Sequence, residues 1–152
     1  MPSVIDVAAY ILERRGPMTA MKLQKLVYYS QAWSLVWDEE VLFQEEIEAW
    51  ANGPVVRDLY SRHRQLFQVD RTVVPDGDAN RLSDGQRDTI NRVLDFYGNQ
   101  SAQWLSDLTH LEAPWREART RSGAAPGAFC SEVITLGEMA EYYGGLQPND
   151  AA

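Results

Sequence analysis

The chain has 152 residues, of which 45% are hydrophobic and 24% are charged, and its formal net charge is −8. This length predicts one domain that folds without disulfides or a metal ion, and the composition excludes wholesale disorder. The single cysteine, Cys130, and the lack of a membrane-length apolar run or a basic leader favour a cytoplasmic protein. The negative charge argues against a general nucleic-acid binder, which needs a basic face.

The first quarter of the chain predicts two helices. Ser3 can cap a helix that runs to about Arg15, where Gly16-Pro17 ends it. Thr19 opens a second helix over roughly residues 20–37, which is apolar nearly all round and is therefore expected to be the buried central helix. Its exposed strip is expected to consist of Lys22, Lys25 and Tyr29.

The middle of the chain changes period and predicts a small β element. Short strands or an extended connection are expected near residues 41–50, and another strand over 68–74. Between them, Asn52-Gly53-Pro54 predicts a turn, because glycine tolerates a positive φ and proline fixes its own. Pro54 also suits the first turn of a third helix, on which His63 is expected to face solvent.

The second half predicts further helices, each marked at its start by a capping residue or a proline. The residues that mark these starts are Ser83 with Gln86, Ser101, Pro114, and Thr135 with Glu138. Gly144-Gly145 is expected to end the last helix.

Together these elements predict a mainly α fold, a single compact domain of about six helices with short strands near 41–50 and 68–74. We expect the domain to cover residues 1–147 and residues 148–152 to form a flexible tail. No repeat, linker or low-complexity tract divides the chain.

The sequence offers little for catalysis or metal binding. It has two histidines, His63 and His110, and neither a CxxC pair nor an HExxH motif, so we expect no metal site and no cofactor. A thiol dyad of Cys130 with His110 would rest only on the single cysteine, and a buried structural cysteine is the commoner case. We therefore expect that the protein is not an enzyme.

An acidic segment is the most uneven feature of the charge pattern. No basic residue occurs between Lys25 and Arg57, whereas this stretch contains Asp38, Glu39, Glu40, Glu45, Glu46 and Glu48. Such a run is usually a solvated face, and if it persists in the fold it suits a basic partner. Trp37 and Trp50 flank the segment and are the better candidates for exposed interface anchors, although tryptophan is more often part of a core.

Residues 18–60 resemble the opening motif of a known family. The pieces of this motif are Lys22-Leu23-Gln24-Lys25-Leu26, Tyr28, Ala32-Trp33, Leu42-Phe43, Ile47-Glu48-Ala49-Trp50, Asn52-Gly53-Pro54-Val55-Val56 and Tyr60. A second block comprises Leu105 to His110, Pro114-Trp115 and Ala118-Arg119, and the stretch from Ile134 to Tyr143 resembles the last helix of the family. On these residues the chain is similar to the Panacea domain, also called the SocA-like antitoxin domain and formerly grouped with phage-associated GepA-like proteins.

The resemblance implies function by binding. Members are typically encoded beside a toxin gene and neutralise that toxin by direct protein–protein contact, and the toxins include small alarmone-synthetase-like ones. The implied partner is a cognate protein toxin from a neighbouring bacterial gene, with neither a membrane nor a nucleic acid as direct partner. Because no helix-turn-helix or protease-adaptor segment is visible, autoregulatory DNA binding is not expected.

Two sets of residues are candidates for the site. The candidate toxin-binding residues are Lys22, Lys25, Tyr29, Trp37, Glu45, Glu46, Glu48 and Trp50. The motif residues that form either scaffold or contact surface are Asn52, Gly53, Pro54, Tyr60, His110 and Trp115. We expect the acidic segment to steer the domain toward a basic toxin cleft.

Two other functions stay open. The main alternative is a small enzyme that reverses or degrades a toxin's product or modification, and its candidate residues are Lys22, Tyr29, Glu48 and His110. A DNA-binding regulator is the third possibility, which the acidity and the lack of a basic recognition helix disfavour. A 1:1 titration end-point would separate stoichiometric binding from turnover.

Overall fold

The computed structural model describes the backbone of residues 1–151 and the side chains of residues 1–146. The described α-helices are α1 (Val4–Arg15), α2 (Ala20–Trp33), α3 (Arg57–His63), α4 (Asp84–Tyr97), α5 (Ala102–Leu111), α6 (Ala113–Ser122) and α7 (Leu136–Ala151). The strands are β1 (Met18–Thr19), β2 (Ile47–Trp50), β3 (Gly53–Val56), β4 (Gln68–Val69) and β5 (Val133–Ile134). The predicted mainly α class with a small β element is confirmed. The tail predicted for residues 148–152 lies outside the described side chains and stays a prediction.

The central helix of the fold is α2, as its apolar surface predicted. It packs against α1, α4, α5 and α7, and both Leu23 and Leu26 are fully buried. After Trp33 the helix widens into a π-helical turn over Ser34–Asp38, so the helix predicted for residues 20–37 is an α-helix with a wider last turn. Every helix of the described residues is too short or too polar to cross a lipid bilayer.

Helix starts agree with the local capping signals. The side chains that accept a backbone N–H at a helix start, as predicted, are those of Ser3, Thr19, Ser83, Ser101 and Thr135. The prediction for the end of the last helix was wrong, because α7 continues through Gly144-Gly145 to Ala151. Glycine lowers helix propensity but does not forbid the helical conformation.

Two small antiparallel sheets complete the fold. One has the strand order β3-β2-β5, and the other pairs β1 with β4. A two-residue turn, Ala51-Asn52, joins β2 to β3 and places Trp50 opposite Gly53. The helix predicted to begin at Pro54 begins at Arg57 instead, because Pro54 belongs to β3.

Proline is compatible with β3 because the ladder needs no N–H at that position. Pro54 lies opposite Ala49, whose own N–H donates to the carbonyl oxygen of Glu132 on the β5 side over 2.9 Å. The proline nitrogen therefore faces away from the ladder bonds, as a proline within a sheet requires.

The other predicted strands are shorter than expected. Residues 41–46 are irregular, since the side-chain amide of Gln31 accepts from the N–H of Leu42 and donates to the carbonyl of Phe43, each over 2.7 Å. The strand predicted for 68–74 covers only Gln68–Val69 and is followed by a 3₁₀ turn over Arg71–Val73. In both places polar side chains or a tight turn replace pairing with a neighbouring strand.

Candidate functional site

A pocket of about 400 Å³ lies between α2, the β2–β3 hairpin, α3 and the loop after α6. We call it the lysine pocket, and its lining includes Gln24, Lys25, Trp50, Tyr60, His63 and Phe129. Asn52 also lines it, so four residues singled out from the sequence meet here: Lys25, Trp50, Asn52 and Tyr60. A concave site of this size with apolar walls and a few polar groups is typical of ligand-binding sites.

Lys25 belongs to this lining although it is only 1% exposed, so the prediction that it faces solvent was wrong. Its ammonium donates one hydrogen bond, a long one of 3.4 Å, to the carbonyl oxygen of Pro54. Gly53 lies directly against it, and a Cβ there would stand 2.4 Å from Cε of Lys25. Gly53 also has a φ of 128°, so glycine is required both for the backbone conformation and for the room that Lys25 occupies.

Burial in this pocket disfavours the protonated, charged forms of Lys25 and His63. Burial lowers the pKa of Lys25 to about 7, and no described acidic side chain forms an ion pair with it. Burial, together with the positive charge of Lys25, also lowers the pKa of His63. Near neutral pH the pocket therefore holds a lysine that is only partly protonated beside a neutral histidine.

Gln24 joins α2 to β3 next to Lys25. Its side-chain amide donates to the carbonyl oxygen of Val56 over 3.2 Å and accepts from the N–H of Val56 over 2.9 Å. The same amide nitrogen lies 2.9 Å from Nε2 of His63, which is then the acceptor and carries no proton. His63 is thus buried, and the prediction that it faces solvent was wrong.

Aromatic side chains form one wall of the lysine pocket. Trp50 packs edge to face against Tyr60, with ring centroids 4.8 Å apart, and Phe129 lies 5.7 Å from Trp50. The indole N–H of Trp50 donates to Glu48 over 2.8 Å, and Arg57 pairs with the same carboxylate over 2.8 Å. The orientation of Trp50 is therefore fixed by its neighbours before anything binds.

Arg119 holds the loop that carries Phe129. Its buried guanidinium donates to the carbonyl oxygens of Ala49 on β2 (3.0 Å), Ala125 (3.0 Å) and Ala128 (2.6 Å). Three bonds from one charged group fix this small-residue loop against the sheet, and they hold Phe129 at the mouth of the pocket while 67% of its surface stays exposed.

Apolar side chains line the mouth of the pocket and a groove beside it. Leu66 is 49% exposed and lines both the lysine pocket and an adjoining groove of about 410 Å³, which Phe67, 78% exposed, also lines. Met21 lines both concavities as well. We call Met21, Leu66, Phe67 and Phe129 the apolar rim, and a contiguous apolar surface of this kind is typical of interaction sites.

Tyr29 lies in the core and not on the predicted exposed strip. Its hydroxyl donates to Oε1 of Glu112, and Tyr143 donates to the same carboxylate. The ring of Tyr29 stacks on Tyr97 at a centroid distance of 4.1 Å. Burial raises the pKa of Glu112, although the two tyrosine hydrogen bonds oppose this shift. The prediction that Tyr29 is exposed was therefore wrong.

The acidic segment divides into structural and solvent-exposed carboxylates. Glu45 accepts from the N–H of Val4 at the start of α1 over 3.2 Å, and Asp38 accepts from the hydroxyl of Thr89. Glu48 is engaged by Trp50 and Arg57 as described above. The carboxylates that are exposed and make no ion pair with another described residue are those of Glu39, Glu40 and Glu46.

Of the eight candidate toxin-binding residues, only Lys25 and Trp50 line the lysine pocket, and Lys22 and Trp37 are among the six that do not. Lys22 is half-buried, and burial, together with the charge of Arg15, lowers its pKa. Trp37 is also half-buried, stacked on Trp33 at 4.8 Å, with the guanidinium of Arg92 3.9 Å from its ring. Neither lines the pocket that contains Lys25 and Trp50.

The motif residues of the second block hold the hairpin turn in place. The indole N–H of Trp115 donates to the carbonyl oxygen of Trp50 over 2.8 Å. The two ring nitrogens of His110 lie 2.6 Å from the carbonyl oxygen of Ser106 and 3.1 Å from that of Ala51. Through these internal contacts His110 and Trp115 support the hairpin.

The candidate catalytic groups are dispersed among separate contacts. Of the four considered for an enzyme, Tyr29 bonds Glu112, Glu48 bonds Arg57, and His110 contacts the hairpin backbone. Cys130 is buried, with its sulfur 3.1 Å from the hydroxyl of Ser122. Within residues 1–146, no three His, Cys, Asp or Glu side chains form a group that could hold a metal ion.

Three contributors to the site were missed by sequence reasoning. Gln24 and Arg119 belong to the family-motif residues, and this was the one sequence signal that could have identified them. Their bonds to distant backbone groups leave no local sequence pattern. Phe129 lies in a stretch of small residues that predicted only a loop.

A family model described as antitoxin SocA-like, Panacea domain, matches residues 23–116, more than half of the chain. The match includes Lys25, the hairpin, Tyr60, His63, His110 and Trp115. Neither the curated proteins nor the solved structures contain a match to this chain.

Proposed function

We propose that this chain, which belongs to the antitoxin SocA-like, Panacea domain family, neutralises a cognate protein toxin by direct stoichiometric binding. Family membership supports an antitoxin role, and it is the observation that carries the proposal. Inhibition by binding needs a rigid surface with apolar anchors and no catalytic constellation. In our proposal the protein acts without a cofactor, and its partner is encoded by a neighbouring gene.

The apolar rim is the part of the surface that we assign to the toxin. Phe67 and Phe129 are more than half exposed, and Leu66 lies between the two concavities that they line. Large apolar side chains that are held in place by the scaffold lose little conformational freedom on binding, and they commonly supply the energetic centre of an interface. Arg119 supports this assignment because it fixes the loop that carries Phe129.

Acidic charge near this surface would favour a basic partner. A shallow groove of about 360 Å³ is lined by Glu45, Glu46, Glu48 and Asp58, with Arg57 as its single basic residue. Toxins that act on RNA or nucleotides need basic clefts to bind their substrates, and opposite charges speed the encounter of two proteins. We therefore propose a toxin of this class, such as an alarmone-synthetase-like one, steered by the exposed carboxylates.

Growth rescue with the neighbouring gene tests the proposal. That gene is expressed from an inducible promoter with and without this protein, and the tagged pair is purified and titrated. Rescue with a 1:1 complex and a sharp titration end-point is the expected result. Rescue at a substoichiometric dose without a complex would overturn binding in favour of the enzyme alternative, and no rescue of a toxic neighbour would overturn both.

A further inference from the structure

Lys25 is a buried lysine whose hydrogen-bonding capacity is largely unused. An ammonium group has three N–H donors, and here one long bond to Pro54 is its described hydrogen bond. Burying a charged group without a partner is costly, so a ligand that brings a hydrogen-bond acceptor to such a group gains binding energy. Within residues 1–146 no carboxylate offsets this charge, because the nearest acid on the hairpin, Glu48, is taken up by Arg57 and Trp50.

The pocket around Lys25 has the size and lining of a small-molecule site. Its volume of about 400 Å³ lies within the range of small-molecule sites, and its walls include the rings of Trp50, Tyr60 and Phe129. Asn52 lines the same pocket, and its side-chain amide makes no hydrogen bond to a described residue, which leaves a second donor for a ligand. The site therefore combines apolar walls, one ammonium and one free amide.

Because the pocket contains a single ammonium group, it can neutralise one negative charge on a ligand. A phosphate group carries up to two charges and is usually bound by several donors, such as arginine forks or lysine together with backbone N–H groups, whereas a carboxylate carries a single charge and two acceptor oxygens. The one arginine close to the pocket wall, Arg57, is already paired with Glu48. A singly charged carboxylate is thus the anion that Lys25 and Asn52 can satisfy together.

We propose that the lysine pocket binds a carboxylate carried on an apolar or aromatic group, with the carboxylate hydrogen-bonded to the ammonium of Lys25. The stem of the ligand lies against the aromatic wall, and Phe129 covers it at the mouth. The carboxylate belongs either to a free organic acid or to the carboxyl terminus of a peptide chain. Binding does not depend on the toxin, so its failure would leave the proposed antitoxin function standing.

The decisive comparison is between an acid and its neutral isostere. Isothermal titration of the full chain with 3-phenylpropionate and with 3-phenylpropionamide is expected to show at least about tenfold tighter binding of the acid. Because the chain has two lysines, ¹³C-lysine labelling gives two Cε signals, and the acid should move that of Lys25 and not that of Lys22. Equal affinity for acid and amide, or an unmoved Lys25 signal, overturns the proposal.

Variants test the two parts of the site separately. Lys25→Met removes the ammonium while keeping a similar stem, and it should abolish the preference for the acid over the amide. Phe129→Ala should weaken acid and amide alike, because it removes part of the wall and no charge. A Lys25→Met protein that folds and keeps the acid preference contradicts the assignment. If that variant does not fold, the comparison of the two ligands on the natural chain still decides the question.

The two sources of the carboxylate are separated by a peptide arm. An acetylated tripeptide ending in phenylalanine is titrated with its free carboxyl terminus and, as the matched control, with a terminal amide. Binding of 3-phenylpropionate without binding of the free-carboxyl peptide identifies a small organic acid as the ligand. Binding of that peptide, with loss of affinity in its amide, identifies a chain terminus. Failure of all four probes at millimolar concentration overturns the carboxylate proposal.

Discussion

The hydroxyl of Tyr29 donates to Oε1 of Glu112 over 2.7 Å, across 83 residues of sequence. Tyr143 donates to the same oxygen, also over 2.7 Å. Glu112→Gln keeps an oxygen that can accept both bonds, whereas Glu112→Ala leaves two buried hydroxyls without this partner. We expect the alanine variant to lose about 2–5 kcal/mol of unfolding free energy and the glutamine variant much less, measured by urea denaturation. Equal losses would show that the shared oxygen is unimportant.

The same carboxyl predicts a pH dependence. Burial raises the pKa of Glu112 above 4.5, so the folded protein holds this proton more tightly than the unfolded chain does. The resulting contribution to stability is complete below pH 4.5 and is lost as the pH rises through the folded pKa. The stability of the natural chain relative to Glu112→Gln should therefore fall with pH in this window. A constant difference between the two denaturation midpoints would contradict the prediction.

Gly53 and Lys25 are expected to be energetically coupled. Gly53→Ala places a methyl group where Cε of Lys25 lies and forces a strained positive φ, so a loss of about 2 kcal/mol or more is expected. In a Lys25→Ala background the clash with Lys25 is gone, whereas the backbone strain and the 3.2 Å approach of the new methyl group to Oγ1 of Thr109 remain. A double-mutant cycle should thus give a coupling of about 1 kcal/mol, and strict additivity of the two substitutions would rule out the contact.

Lys25 should titrate far below an ordinary lysine. Burial lowers its pKa from 10.5 to about 7, which ¹³C-lysine spectra resolve because Lys22 supplies the second signal. The unfolded chain keeps this proton up to about pH 10.5, so stability should rise with pH between about 7 and 10.5. Lys25→Met should lack this rise and be more stable at pH 7 by about 2–4 kcal/mol. A Lys25 signal that titrates near 10.5 refutes the prediction.

The apolar rim should carry binding energy and little fold stability. Leu66→Ala and Phe129→Ala remove exposed side chains, so each should leave the unfolding free energy within about 0.5 kcal/mol. Each should weaken the toxin complex by more than about 1 kcal/mol, or roughly fivefold in Kd. Phe96→Ala is the matched control, because Phe96 on α4 is 71% exposed and lines neither rim concavity. Similar effects of Phe96→Ala and Phe129→Ala on toxin binding would contradict the assignment of the apolar rim to the toxin interface.

Charge reversal on the acidic segment should act on the association rate. Glu40→Lys with Glu46→Lys changes exposed carboxylates only, whereas Glu45 is left in place because it accepts a bond from α1. We expect association with the toxin to slow by about three- to tenfold and to depend less on salt. Stopped-flow measurements at several salt concentrations check this, with Asp88→Lys on α4 as control. An unchanged association rate would exclude steering.

Features of the fold that depend only on residues close together in the sequence could be predicted from it. Ser83 caps α4 because its hydroxyl reaches an N–H three residues on, and such a bond needs no other part of the chain. The central place of α2 followed from apolar residues all round its axis. The strand β3 was not predictable in this way, because Pro54 is acceptable only where Ala49 directs its N–H toward Glu132.

Motif residues identified from the sequence include several that line the candidate site, but the burial of its polar side chains was not predicted. Lys25 and Tyr29 were expected on the surface because their side chains end in polar groups. Both side chains instead lie in the interior, where Tyr29 donates to Glu112 and Lys25 makes one long bond to the carbonyl oxygen of Pro54. His63 stands between two arginines, which favoured solvent exposure, and its burial depends on Gln24 on another helix. Long-range hydrogen bonds of this kind leave no periodic trace in a sequence.

The amide of Gln24 has one further consequence, for self-association. The outer edge of a sheet offers unpaired N–H and C=O groups to which a second copy of a chain can add, a common start of aggregation. At Val56, on the outermost strand β3, both groups are already bonded to Gln24. A glutamine side chain thus takes the place that an intruding strand would need, and it closes this edge without lengthening the sheet.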